Sequence, residues 1–307
     1  MKAITYAVYG DPSVLTLTDL DDPKVGPGEV LIRVRSASVN PVDWKVVAGY
    51  LDPMMNVELP AIPGWDVAGV VEKVGLDTPE FEVGDEVMAY ARKDWVHAGT
   101  YAELVAAPVR TVAKKPKALD WHQAAGLPLA GLTAYQLLTR LGTKVGDTVL
   151  VHAAAGGVGI LAVQVAKAFG ARVIGTASEK NHEFLRELGA EPVAYGDGLA
   201  ERVRELAPDG VDVVADFIGG VLETTKAVLA DGGRHGSVVE AEVAAEGGLY
   251  LWVRPDADDL AALAALADEG KLTVPVAEVF PLAQTGDAFT MSAGGHVRGK
   301  VVISVSG

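Results

Sequence analysis

From residue 148 to residue 253 short apolar runs alternate with amphipathic ones, and this alternation constrains the fold more than any other feature. "TVLVHAA" reads as a strand and "GVGILAVQVAKAFG" as a helix. "RVIGTAS" and "EKNHEFLRELG" repeat the pair, as do "PVAY" with "LAERVRELA" and "VDVVADFIG" with "LETTKAVLA". "GRHGSVVE" and "LYLWV" close the series. Apolar strands between amphipathic helices specify a parallel sheet covered on both faces.

The stretch before it has a different texture. Up to about residue 118 the chain is rich in valine, glycine and proline. "KAITYAV", "EVLIRVRSASV", "AGVVEKVG" and "DEVMAYA" read as short strands, and "GPGE", "IPGW" and "FEVGD" as turns. Strands so spaced, without helices between them, suggest a barrel or sandwich. "LDWHQAAGLPLAGLTAYQLLTRLG" is helical by period, and so is "DADDLAALAALADEGKL". The last stretch, "VPVAEVFPL" to "GKVVISVSG", returns to short strands and completes the first domain. With 307 residues, two domains are expected. The reading is residues 1–118 plus 268–307 for one and 119–267 for the inserted other.

Composition excludes several functions. Net charge is −15 and the longest basic cluster is "KKPK", so no nucleic-acid partner is expected. There is no cysteine, which removes disulfides, cysteine–zinc sites and a thiolate nucleophile. "MKAITYAVYG" turns at "GDP" before any long apolar region and does not read as a signal peptide. No apolar run reaches membrane-spanning length. A cytoplasmic location is the simplest expectation.

The first strand–helix pair encloses "HAAAGGVG", residues 152–159. A strand, a glycine turn and a helix start form a phosphate site, because the helix N-terminus offers free N–H groups and partial positive charge. Ala154, Gly156 and Gly159 take the three places of the G-x-G-x-x-G fingerprint, so its first glycine is an alanine. Some 20 residues on, where NAD binders carry an acid, stands "GTASEKN". Ser178 and Lys180 suit a 2′-phosphate, with Glu179 between them, and predict NADP(H) over NAD(H). The blander alternative has Ser178 capping the next helix and Lys180 in solvent.

Other motifs fail. "GGHVRGKV" has P-loop spacing but Val301 stands where Ser or Thr is needed, and a strand follows. "HEFLR" lacks the second histidine of a zinc protease, and no G-x-S-x-G occurs. No tyrosine has a lysine four residues later. The six histidines show no metal spacing, and His152 is read as packing beside the turn.

"PGEVLIRVRSASVNPVDWKVVAGY", "IPGWDVAGVVEKVG", "FEVGDEV", "AAGLPLAGLTAYQLL", "HAAAGGVG" and "RGKVVISV" follow one another in an order that resembles the medium-chain dehydrogenase/reductases, over nearly the whole chain. The closer resemblance is to the zinc-free quinone oxidoreductase branch that includes zeta-crystallin. It implies an α/β fold in which a GroES-like β-barrel catalytic domain carries an inserted Rossmann domain, with the active site in the cleft between them. Zinc-dependent members carry a ligand cysteine where this chain has "NPVDWK" and a histidine where it has "PGWDVAG"; Val42 and Trp65 offer no metal donor. A homodimer is implied by resemblance only.

The resemblance also implies site residues. Ala155, Gly156, Gly157 and Val158 correspond to the pyrophosphate cradle, and Ser178, Lys180 and Tyr195 to the 2′-phosphate site. Thr133, Trp252 and Val253 correspond to positions by the nicotinamide, and Phe217 and Ile218 to positions flanking the adenosine. Asn40 and Lys300 correspond to cofactor contacts, Asn40 also to a substrate contact. Against these stand plainer readings: Trp252 as core, Asp43 as a prop for its loop, Tyr195 as a strand end.

Without a metal, a conjugated acceptor is easier to reduce than a plain ketone, because its π system spreads the developing charge and hydrogen bonds suffice to hold it. A quinone or α,β-unsaturated carbonyl is therefore the expected small-molecule substrate. Asn40 and Lys45 are the candidate oxygen donors and Tyr50 the candidate proton donor, with solvent as an alternative proton source. The competing readings are an enoyl- or 2-alkenal-type double-bond reductase and a non-catalytic NADPH-binding protein.

Overall fold

The computed structural model describes residues 1–295 and 297–305. His296, within "GGHVRGKV", lies outside them. By packing, the chain divides into Met1–Ala130 with Pro255–Gly307, and Gly131–Arg254. The helices Trp121–Gly126 and Ala257–Asp268 stand at the ends of the inserted domain in the sequence reading, but they pack within the first unit. The former lies on the strands Glu29–Val39 and Asp66–Val74, the latter on Val112–Lys114. Asp268 Oδ1 also accepts from Ala118 N at 2.9 Å. Helical periodicity shows that such segments exist, not which sheet they cover.

The first unit is built on a seven-stranded sheet. Its order is Val276–Pro281, Lys300–Ser304, Glu29–Val39, Asp66–Val74, Glu86–Tyr90, Val112–Lys114, with Leu104–Pro108 also pairing with Glu29–Val39. Glu29–Val39 is the hub, antiparallel to three neighbours. Val30, Ile32, Val34, Val67, Val71, Val87, Ala89 and Val105 fill the interior. Two helices were not read from the sequence. Pro41–Val47 is short and has proline at its first position and the Asn40/Asp43 capping box. Thr285–Ala293 sits between the last strands, where only strands were expected. Its buried face is reduced to Thr285, Ala288 and Phe289, too few positions to announce a helix.

The second unit is a six-stranded sheet, parallel throughout. Its order is Glu191–Ala194, Arg172–Ala177, Thr148–Val151, Val211–Asp216, Leu229–Ser237, Leu249–Tyr250. In chain order this is 3-2-1-4-5-6, the doubly wound arrangement, whose direction reverses between Thr148–Val151 and Val211–Asp216. Leu150, Ile174, Val193, Val203, Val214 and Val228 pack together in its core. Among the described residues no helix is long and apolar enough to cross a membrane.

Candidate active site

In a doubly wound sheet ligands bind outside the carboxyl ends of the strands, at the switch point. Most of the expected cofactor residues stand at such ends. Ala155 to Val158 follow Thr148–Val151, Ser178 and Lys180 follow Arg172–Ala177, and Tyr195 follows Glu191–Ala194. Phe217 and Ile218 follow Val211–Asp216, and Trp252 and Val253 follow Leu249–Tyr250. Thr133 is buried within the helix Pro128–Arg140.

The turn itself is tightly specified. Ala153 has φ +53°, unusual for a residue with a side chain. Its N–H donates to Thr176 Oγ1 (3.0 Å), and Ala154 N donates to the Thr176 carbonyl (2.9 Å). Gly156 caps the helix Gly157–Ala168 with no side chain, and no acidic residue lies in the first turn. Gly159 has no room for a Cβ, which would sit 2.2 Å from the Ala153 carbonyl oxygen. A helix start without a side-chain cap, at the switch point, fits a phosphate. The residues present therefore fit the pyrophosphate of a dinucleotide.

Behind the turn, His152 is buried and its Nε2 has no hydrogen-bond partner among the described residues. Burial pushes its pKa down to about 4, against the pull of Asp216. Asp216 accepts from Ile218 N and Gly219 N, and from Ser237 Oγ at 2.6 Å. These bonds shape the loop that carries Phe217 and Ile218.

At the position expected to meet the 2′-phosphate, Ser178 precedes the short turn Glu179–Asn181, and its side chain caps no N–H. Its hydroxyl accepts from Asn181 Nδ2 at 3.3 Å. Lys180 is exposed and Tyr195 is 59% exposed. Trp252 is 39% exposed and lies beyond its strand, so it is not a core residue.

In the first unit, sheet register assembles a polar cluster. Ser38 pairs with Asp66 on one side of the hub strand, and Val39 pairs with Val301 on the other. Asp66 and Lys300 thus arrive on either side of Asn40. All three are buried, Asp66 completely and Lys300 at 4% exposure. Asn40 Nδ2 donates to Asp66 Oδ2 at 2.8 Å, and Lys300 Nζ donates to Asn40 Oδ1 at 2.5 Å. Asp66 further accepts from Ser38 Oγ (2.9 Å) and Leu129 N (2.8 Å). Asp43 Oδ2 accepts from Asn40 N (2.7 Å) and Tyr101 OH (2.8 Å). Gly126 leaves space for the lysine stem, since a Cβ there would lie 3.2 Å from Lys300 Cγ.

Burial dominates the electrostatics of this cluster. It pushes the Asp43 carboxyl up to about 7 and the Asp66 carboxyl up, and the Lys300 ammonium down. For Asp66 and Lys300 their mutual attraction opposes the shift.

The three expected chemical residues share one short segment. Asn40 caps the helix Pro41–Val47, Lys45 lies on it, and Tyr50 N bonds to the Lys45 carbonyl just beyond. Lys45 Nζ lies over the Trp44 ring, 5.5 Å from its centroid, and Tyr50 is 69% exposed. Sequence reasoning brought Asn40 and Lys300 forward separately and missed Asp66. The signal was an acid opening an otherwise apolar strand in "GWDVAGVV", and a lysine opening another in "KVVISV". At Trp65 the side chain is buried against Tyr90, ring centroids 6.1 Å apart. Among the described residues no group of three His, Asp or Glu could hold a metal ion.

A doubly wound parallel sheet with an uncapped glycine turn at its switch point, inserted into a β-sheet unit, is the architecture of two-domain dinucleotide-dependent oxidoreductases. The family models for the alcohol dehydrogenase GroES-like domain and the zinc-binding dehydrogenase match residues 26–117 and 188–303. The NADPH-dependent alkenal/one oxidoreductase of Arabidopsis thaliana chloroplasts is 38% identical over 99% of this chain and 79% of its own length. The quinone oxidoreductase of Coxiella burnetii superposes with a TM-score of 0.87 at 37% identity, over 100% of this chain and 99% of its own. An NAD-dependent alcohol dehydrogenase superposes at 0.90 with 34% identity, over the whole of both chains. The chain belongs to the medium-chain dehydrogenase/reductase superfamily, among its quinone-oxidoreductase-like members.

Proposed function

We propose that the protein uses NADPH to reduce a conjugated carbonyl, a quinone or an enone, without a metal ion. The observation that carries this reading is the uncapped glycine start of the helix Gly157–Ala168 at the sheet's switch point. The cofactor would supply the hydride. Ala155, Gly156, Gly157 and Val158 would hold its pyrophosphate, and Ser178, Lys180 and Tyr195 its 2′-phosphate. Phe217 and Ile218 would flank the adenosine. Thr133, Trp252 and Val253 would lie by the nicotinamide, and Asn40 and Lys300 are the remaining expected cofactor contacts.

Without a metal the developing charge is most easily held on an acceptor that spreads it, so a conjugated one is favoured. Asn40 and Lys45 donate hydrogen bonds to the acceptor oxygen, where charge develops. Tyr50, exposed as it is, supplies the proton or leaves that step to water. The side chains of Val42 and Trp65 support the metal-free reading, since neither offers a donor atom. The names of the relatives support both acceptor classes, and the alkenal/one oxidoreductase supports the enone arm in particular. The resemblance also carries a homodimer into this reading.

The test is NADPH consumption by purified protein over a panel of quinones, enones, plain ketones and alcohols. Turnover of quinones or enones is expected. Turnover confined to plain ketones or alcohols overturns the reading. Size-exclusion chromatography reads the dimer.

A further inference from the structure

We infer that Asp66 is a positioning residue, which fixes the Asn40 carboxamide and the Lys300 ammonium in a single orientation toward the reacting groups. The inference rests on the reading above for what Asn40 and Lys300 contact. Its structural part stands independently of that reading.

The carboxamide of Asn40 has two ends of opposite character. Its Nδ2 faces the Asp66 carboxylate and its Oδ1 faces the Lys300 ammonium. A flip would set amide hydrogens against the ammonium and the amide oxygen against the carboxylate, so charge on both sides selects one orientation. Among the described residues, every hydrogen bond to Asp66 comes from a donor: Ser38 Oγ, Asn40 Nδ2 and Leu129 N. Those bonds occupy both oxygens as acceptors and fit the ionised form. Lys300 Nζ lies 4.0 Å from Asp66 Oδ2, so the anion also holds the buried cation in place. Asp66 is fully buried and is assigned no contact with cofactor or substrate. Its effect on the reaction is therefore indirect. With a neutral amide at position 66 both consequences are lost: the new side chain turns either end to Asn40, and Lys300 loses its nearest anion.

The experiment uses Asp66→Asn, close in size and shape, with steady-state kinetics and with NMR of lysine labelled at Cε, Lys300 being assigned through Lys300→Arg. In the variant kcat/KM for an enone or quinone is expected to fall by roughly 10- to 100-fold, the range that the loss of a hydrogen bond to a charged group brings. The Lys300 signal is expected to titrate at a pH lower by about one unit or more, since an opposite charge at this distance has been removed. A merely structural role would lower activity without moving the lysine. Wild-type kinetics, or an unmoved Lys300 titration, overturns the inference. If Asp66→Asn does not fold, the Asn40 side-chain amide of the wild-type protein decides: protected from solvent exchange it supports the inference, unprotected it overturns it. A wild-type protein inactive on every quinone and enone sinks the functional reading alone, because the Lys300 and Asn40 signals are read without substrate.

Discussion

Asp43 and Asp66 lie in the same buried cluster and use their oxygens differently. Both oxygens of Asp66 accept hydrogen bonds, whereas Asp43 accepts two on Oδ2 and has no partner on Oδ1 among the described residues. The empty Oδ1 is where a proton is accommodated at least cost, in keeping with an Asp43 pKa pushed up to about 7 by burial.

This has a consequence for stability. Asp43 holds its proton in the folded chain up to about 7 and releases it near 3.8 when unfolded. Between those values the folded state binds more protons, so stability falls as pH rises, by at most about 1.4 kcal/mol per pH unit. Asp66, also raised, acts with the same sign. Asp43→Asn should flatten this slope. Urea unfolding at several pH values measures it, and an unchanged slope would show that Asp43 is ionised throughout.

His152 has the opposite sign. Its folded pKa is lowered from 6.5 to about 4, so between these values the unfolded chain binds the extra proton. Stability of the Gly131–Arg254 unit should therefore fall as pH drops through that window. The readout is hydrogen exchange of the Thr148–Val151 amides, referred to intrinsic rates at each pH. Protection should decline toward pH 4 in the wild type and hold level in His152→Gln. Equal decline in both would remove His152 as the cause.

The doubly wound sheet was legible because buried parallel strands are apolar runs, and "TVLVHA" and "VDVVAD" can scarcely be anything else. The glycine turn that starts the helix Gly157–Ala168 was legible because glycine spacing records a close backbone approach. The polar cluster was not. Asp66 and Lys300 are 234 positions apart in the chain, and only the pairing of both their strands with Glu29–Val39 brings them to Asn40. A single buried acid looks, in sequence, like any strand-end charge. The helices Trp121–Gly126 and Ala257–Asp268 were legible as helices, but their unit depends on side chains from distant strands.

Gly159→Ala tests how rigid the glycine turn is. The added methyl would lie 2.2 Å from the Ala153 carbonyl oxygen and 2.7 Å from Ala154 Cα, both backbone, so neither can swing aside. Overpacking of this kind costs about 1–3 kcal/mol. Thermal unfolding should report the loss, and NADPH titration a weakening of tenfold or more because the helix start has moved. Wild-type values for both would mean that the turn yields.

Lys180→Ala tests the cofactor preference with no change expected in the fold. Lys180 is exposed, so stability should stay within about 0.5 kcal/mol. A hydrogen bond to a charged group contributes roughly 1.5–3 kcal/mol, a factor of about 10–100 in affinity. Binding of NADPH should weaken by that factor and binding of NADH should not change, since only the 2′-phosphate distinguishes them. Fluorescence titration of both cofactors against both proteins gives the four constants. Ser178 would keep part of the preference, because its hydroxyl caps no backbone N–H and can still turn its hydrogen to the phosphate. Tighter binding of NADH than NADPH by the wild type would shift the weight to Glu179, the acid between these two residues, as the ribose partner.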